Sequence, residues 1–249
     1  MKFIQSVQNE KVKAWKKLLA KKGRDKAKQF IVEGYHLVEE ALKKGAVTAL
    51  IKEEEAELPN KWNVDGIDIY HVTQAIVKEL AETETSQGVF AVCDMQLQDE
   101  RLPKKVLLLD GVQDPGNIGT IIRTADAAGL DLVVCGNGCV DVYNSKALRS
   151  TQGAIFHIPV IKADLLSYIP ELQSNGVTVY GTSLQDAVNY REVETSESFA
   201  LVVGNEGNGV SAAVLDNCDQ NLYIPIYGEA ESLNVTVAAG ILLYSLNNR

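Results

Sequence analysis

This chain of 249 residues predicts an α/β fold in two parts. Three observations carry the prediction. From Phe30 onward, short apolar strands alternate with amphipathic helices, the pattern that builds a sheet flanked by helices. The alternation stops in the polar, proline-bearing stretch from Gln96 to Lys105 and then restarts, which divides the chain. After the restart the strands are apolar throughout, beginning with Val106-Leu107-Leu108-Leu109, as expected of a mostly parallel sheet covered on both faces. The expected divisions are 1–28, a basic helical arm; 29–95, a small α/β domain; 96–105, a linker; and 106–249, a larger α/β domain.

The elements follow from local pattern. Ile4, Val7, Val12, Trp15, Leu18 and Leu19 recur at helical spacing, predicting a basic amphipathic helix over 4–22. Phe30 to Gly34 reads as a strand. Tyr35 to Lys44 is a helix with the stripe Leu37, Val38, Ala41 and Leu42, stopped by Gly45. Val47 to Ile51, Asp68 to Val72 and Val89 to Cys93 are strands, and Thr73 caps a helix reaching Ala81. In the second part, Asn117 is expected to cap a helix whose buried face is Ile118, Ile121, Ile122 and Ala125. Further strands are expected at Leu132 to Cys135, Ile158 to Ile161, Val177 to Tyr180, Leu201 to Val203 and Leu222 to Ile226, with a helix over Asp164 to Ser174. Ser232 is read as the cap of a terminal helix ending near Leu246. That helix is apolar almost all round, so it is expected to be buried on more than one side.

Composition narrows the class. With 46% hydrophobic and 23% charged residues, the chain is of ordinary globular type. It has no apolar run of membrane-spanning length and no signal-peptide core at its start, so the cytoplasm is the expected compartment. Four cysteines do not form a disulfide framework in a chain of this size, and Cys135 and Cys139 lack a second ligand pair, so no metal is expected. Charge is unevenly placed. The first 28 residues hold ten basic and two acidic side chains, which leaves −17 on the rest of a chain whose net charge is −9. Such asymmetry suits a protein that grips a polyanion at one end.

Three loops stand out because each follows an apolar strand, where ligands sit in open α/β sheets. The first is Asp114-Pro115-Gly116-Asn117-Ile118-Gly119, with Arg123 projecting away from the apolar stripe that follows. The second is Gly204-Asn205-Glu206-Gly207-Asn208-Gly209, whose glycines point to positive φ angles or to backbone lying against a ligand. It has no Gly-Lys-Ser/Thr and comes too late in the chain for a dinucleotide fingerprint, and Glu206 would repel a phosphate. The third runs from Ile224-Pro225-Ile226 through Gly228 to Ser232-Leu233-Asn234. His36, His71 and His157 lie outside all three loops and G-x-S-x-G is absent, which speaks against a Ser-His-Asp hydrolase.

Together these loops resemble the three motifs of the SpoU (TrmH-type) RNA ribose 2′-O-methyltransferases of the SPOUT class. Asn117-Ile118-Gly119 with Arg123 matches the first motif. Gly204-Asn205-Glu206-Gly207 with Gly209 and Ser211 matches the second, and Ile224-Pro225-Ile226, Gly228 and Ser232-Leu233-Asn234-Val235 match the third. Lys146, Arg149, Ser150, Gly153 and Ala154 are similar to the segment between motifs. More loosely, residues 30–93 resemble the family's small RNA-binding substrate domain.

The resemblance implies a C-terminal sheet ending in a deep trefoil knot, a homodimer formed through that domain, and S-adenosylmethionine as cofactor. Gly204, Asn205, Gly207, Ile224, Ile226, Ser232 and Leu233 would bind the cofactor. Arg123, Asn117, Glu206, Ser232 and Asn234 would form the catalytic set, with Arg123 at the ribose 2′-hydroxyl, as base in some versions of the mechanism. Guanidinium keeps its proton in proteins, so hydrogen bonding to the developing oxyanion is the easier role. The implied partner is RNA, ribosomal by preference and transfer RNA as the alternative. A non-catalytic RNA-binding protein of the same fold is the rival reading, and a nucleotide-dependent dehydrogenase fails on loop position and on Glu206.

Overall fold

Residues 2–95, 102–194 and 196–247 are described by the structure, a computed structural model. The chain divides into two compact units, Met1–Leu97 with Asp141–Phe156, and Gln98–Val140 with His157–Arg249. The linker expected at 96–105 lies outside the described residues from 96 to 101.

The first unit opens with β1 (Lys2–Ile4), α1 (Glu10–Lys17) and α2 (Lys21–Ala27), followed by β2 (Gln29–Glu33) and α3 (Tyr35–Lys44). β3 (Val47–Glu53), β4 (Asp68–Val72), α4 (Gln74–Leu80) and β5 (Val89–Asp94) complete its continuous part. The sheet order is β1-β4-β3-β5-β2, parallel from β1 to β3 and antiparallel where β5 pairs with β3 and β2. The single helix expected over 4–22 is therefore a strand and two short helices. Gly23 permits the turn between them: a Cβ there would lie 1.8 Å from the Lys17 carbonyl oxygen, so the start of α2 packs directly on the end of α1. Val12, Trp15 and Leu18 are buried in one core with Ile51, Tyr70, Ile76, Leu80 and Phe90. Trp15 meets Tyr70 edge-on, with ring centroids 5.2 Å apart. Gly45 ends α3 at φ +71, the left-handed cap its position predicted.

Residues 1–28, read from the sequence as a basic arm, thus contribute an edge strand and core side chains to this unit. Part of their charge is also matched locally. Lys2 pairs with Asp68 at 2.5 Å, Lys13 with Glu10 at 3.3 Å, and Lys16 with Glu79. Lys17, Lys21, Lys22, Lys26 and Lys28 are exposed and have no ion-pair partner among the described residues.

In the second unit β6 (Lys105–Asp110), α5 (Pro115–Ala127) and β7 (Leu132–Cys135) come first. The chain then returns to the first unit as a segment containing α6 (Ser145–Thr151). It resumes with β8 (Val160–Lys162), α7 (Leu165–Ser174), β9 (Thr178–Thr182), β10 (Val188–Asn189), β11 (Phe199–Gly204), α8 (Ala212–Leu215), β12 (Gln220–Tyr223) and α9 (Val235–Asn247). The strands form a seven-stranded, wholly parallel sheet in the order β10-β12-β9-β11-β6-β7-β8. Val106, Leu108, Val134, Val179, Ala200 and Val202 fill one core beneath α7 and α8. The apolar runs of β6, β7, β9 and β11 are therefore buried as expected, whereas β8 is half-buried and β12 ends at Tyr223, short of the predicted Ile226.

The returning segment is anchored by Arg24, which is 5% exposed. Arg24 Nη1 donates to the carbonyls of Leu18 and Leu19, both at 2.8 Å, and Nη2 donates to Asp141 Oδ2 at 2.6 Å. At the other end of the segment Phe156 stacks on Phe30, centroids 5.8 Å apart. Removing one partner of a buried pair leaves the other charge uncompensated and costs about 3–5 kcal/mol. Arg24→Ala is expected to lower the stability of the first unit by that order, read as a lowered midpoint in thermal denaturation; an unchanged midpoint would show that the pair contributes no net stability.

Candidate functional site

β6 and β11 are neighbours in the sheet, and β12 lies two strands beyond β11. Their carboxyl ends carry the three loops singled out in the sequence. After β6 the chain turns at Gly111, φ +71, and Asp114 caps α5 by accepting from the Asn117 backbone N–H at 2.9 Å, with Pro115 opening the helix. The expected cap, Asn117, lies instead in the first turn. The difference has a chemical consequence, because the Asn117 side chain is released to face the neighbouring loop.

That loop is closed on itself. Asn205 and Gly209 exchange backbone hydrogen bonds, both 2.9 Å, and Asn205 Oδ1 accepts from the N–H groups of Gly207 and Asn208. A Cβ on Gly204 would sit 2.1 Å from the Gly209 carbonyl carbon, so only glycine allows the loop to fold back over the strand end. Two further bonds tie it to β6: Asn205 Nδ2 donates to the Gly111 carbonyl at 2.9 Å, and Asp110 Oδ2 accepts from Ser211 N–H at 2.8 Å.

Glu206 joins all three loops. Its Oε2 accepts from Gln113 N–H at 3.1 Å, and its Oε1 from Asp114 N–H and Asn117 Nδ2, both at 3.0 Å. Asn117 Oδ1 in turn accepts from Asn234 Nδ2 at 3.3 Å. Asn234 Oδ1 accepts from the Thr236 N–H at 2.8 Å and from its hydroxyl at 2.5 Å, which orients the amide. Asn234, not the expected Ser232, therefore receives the first-turn N–H of α9, and Ser232 is left exposed before the helix.

Beside this network lies a cavity of about 530 Å³, within the range of small-molecule sites. Gly204, Asn205, Glu206, Gly207, Ile224, Ile226, Ser232, Leu233 and Asn234 all line it. Asn117 reaches it through its two side-chain hydrogen bonds. Arg123 does not line it; this side chain is exposed on α5 and has no hydrogen-bond or ion-pair partner among the described residues. Thr182 at the end of β9, with Ser183, Leu184 and Gln185 after it, forms a fourth wall that sequence reasoning missed. The available signal was their place after a buried strand at the same sheet edge, but no glycine or motif marks them. The lining holds one carboxylate and no lysine, arginine or histidine, so it accommodates a cation better than a phosphate.

Burial opposes ionisation of Glu206, but the hydrogen bonds from Asn117, Asp114 and Gln113 outweigh it and hold the carboxyl below its ordinary value. A carboxylate held low stabilises the loops at every pH above the ordinary carboxylate range, and that contribution is lost as pH falls through the lowered value. Amide exchange at Gln113 and Asp114 is therefore expected to stay slow in mild acid and to quicken only below that range. In Glu206→Gln the new amide N–H₂ faces donors, so both amides should exchange faster at neutral pH and show no acid transition. Equal protection in the two proteins would refute the role.

Comparison with known proteins agrees with this geometry. Residues 104–244 match the SpoU rRNA Methylase family, and residues 9–91 match the MRM3-like substrate binding domain. RlmP of Bacillus subtilis strain 168, a 23S rRNA (guanosine(2553)-2′-O)-methyltransferase, is 54% identical over 247 residues, 99% of each chain. The AdoMet-bound rRNA methyltransferase of Sinorhizobium meliloti superposes with a TM-score of 0.87 at 30% identity, over 99% of this chain and 97% of that one. AviRb of Streptomyces viridochromogenes, a SpoU methyltransferase solved with AdoMet, gives 0.85 at 27% identity, over 97% and 98%. With its three loops assembled on one parallel sheet edge and the matches spanning nearly its whole length, the chain belongs to the SpoU rRNA methylase family.

Proposed function

We propose that this protein methylates a ribose 2′-hydroxyl of 23S ribosomal RNA, using S-adenosylmethionine. The observation that carries the reading is the hydrogen-bonded set Asn117–Glu206–Asn234 beside a cavity lined by a single carboxylate and no base. Identity to RlmP along the full chain favours the same class of RNA. Gly204, Asn205, Gly207, Ile224, Ile226, Ser232 and Leu233 are the residues that would hold the cofactor, whose bound form supplies an electrophilic methyl group on a sulfonium cation. The absence of lysine and arginine from the lining suits that cation.

The acceptor is a weak acid, and its charge must be stabilised as the proton leaves the 2′-oxygen. Arg123 is the group assigned to that stabilisation, because a guanidinium stays protonated and its fork of N–H donors suits an oxyanion and a neighbouring phosphate. Glu206 already accepts three hydrogen bonds, so it acts by orienting Asn117 rather than by taking the proton. Asn117, Ser232 and Asn234 position the ribose. The first unit, with its match to a substrate-binding domain, holds the RNA, and the exposed Lys17, Lys21, Lys22, Lys26 and Lys28 provide phosphate contacts there.

The family's deep knot and homodimer belong to the same reading. α9 packs against α5 and β11, which supports a terminal segment drawn back across the sheet. Along its outward side Val237 and Tyr244 are 49% and 47% exposed, an apolar strip that a second copy would cover. Val237→Glu is expected to halve the sedimenting mass of the wild-type protein; a wild type that already sediments as a monomer would exclude the dimer.

Incubation with labelled S-adenosylmethionine and separately purified ribosomal and transfer RNA, followed by nucleoside mass spectrometry, tests the activity. A 2′-O-methyl group in the ribosomal pool is expected. Methyl in transfer RNA alone would reassign the substrate, and failure to bind the cofactor would leave a non-catalytic RNA-binding protein. Arg123→Ala should lower transfer by about 100-fold or more with cofactor affinity retained, the scale of losing one oxyanion donor. Parallel loss of affinity would contradict the role given to it.

A further inference from the structure

Next to Ile226 of the cavity lining lies a cluster that neither the motifs nor the proposed catalytic set uses. β10 pairs in parallel with β12, Asn189 opposite Tyr223, so residues 190–191 and 224–227 leave the sheet side by side. Asn189 Oδ1 accepts from Arg191 N–H at 3.2 Å and holds the short turn that follows β10. Arg191 Nη1 donates to the Tyr227 hydroxyl at 3.0 Å, and its guanidinium carbon lies 5.1 Å from the Tyr190 ring centroid. Tyr227 is 83% exposed, yet its hydroxyl is tethered and its neighbour Ile226 lines the cavity. Water contact on an aromatic face held in place by a hydrogen bond is a feature that a stacked ligand would exploit.

We infer that Tyr227, fixed by Arg191, is a stacking platform for a nucleobase of the RNA substrate beside the cavity, and so a substrate-positioning residue. The inference rests on the methyltransferase reading for its substrate class. Sequence-specific recognition of RNA targets loops and bulges, whose unstacked bases are held on aromatic rings and guanidinium planes. Stacking is indifferent to the acidity of this unit, because every base has a π-face. It therefore supplies RNA affinity where the cavity itself, with its carboxylate and no base, gives no electrostatic attraction.

The test uses the full-length protein, S-adenosylmethionine and 23S rRNA fragments that the protein binds, with 2-aminopurine placed in turn at their unpaired nucleotides. Tyr227→Ala is expected to raise KM for RNA roughly 5- to 100-fold, the span of one lost stack, with cofactor affinity unchanged. Quenching of the 2-aminopurine emission on binding should be lost in Tyr227→Ala and Tyr227→Leu and kept in Tyr227→Phe, which preserves the ring. Unaltered KM and quenching in Tyr227→Ala would overturn the assignment. So would a changed sedimenting mass in that variant, since Tyr227 would then be a subunit contact. If the wild type binds RNA with quenching but transfers no methyl to any RNA, the catalytic reading fails while the platform stands.

Discussion

The Glu206 carboxylate is the point on which the site depends. Loops at strand ends have few neighbours to hold them, and the first of these three leaves a strand about ninety residues before the strands that carry the other two. One anion accepting three donors solves that problem locally: two backbone N–H groups fix the β6–α5 loop, and one side-chain amide extends the connection to the start of α9. Hydrogen bonds to an ionised acceptor are roughly twice as strong as neutral ones, so a partly exposed group suffices. The chain of donors also has a direction, from Thr236 through Asn234 and Asn117 to the carboxylate, which leaves neither amide free to flip.

Close approach of backbone is the second constraint. The loop after β11 turns back over its own strand, and at Gly204 the returning chain occupies the volume of a methyl group. The same device appears in the first unit, where Gly23 meets the end of α1. At both places glycine is required for space, not for an unusual φ. Rigid loops on a fully parallel, doubly covered sheet are a suitable base for a site whose chemistry is positioning and charge stabilisation.

Electrostatics divides the labour. The second unit presents an acidic cavity, suited to a sulfonium and unsuited to phosphate. Attraction for RNA then has to come from elsewhere, and the groups proposed for it are Arg123 outside the cavity, the exposed lysines of the first unit and the ring of Tyr227. The composition alone exaggerates the basic contribution, because Lys2, Lys13, Lys16 and Arg24 are already matched by acids within the unit.

By itself the sequence determined the α/β class, the parallel sheet of the second part, and which three loops matter. These rest on local pattern: continuous apolar runs make buried strands, and glycine-rich stretches after them make loops at the sheet edge. The tertiary structure decided what such patterns cannot express. Asn117 has the chemistry of a cap, but Asp114 takes that role and turns the Asn117 side chain toward Glu206. Residues 4–22 carry a helical period, but Ile4 pairs with β4 in the sheet and α2 folds back on the end of α1 with Gly23 at the contact. The loop after β9 is a wall of the cavity only because β9 lies between β11 and β12. The buried Arg24 and the half-buried Asp141 are 117 residues apart in the chain, and their meeting joins a segment to a unit that sequence order does not assign it to. In each case a non-local partner decided the outcome, and a single chain read in order carries no information on who that partner is.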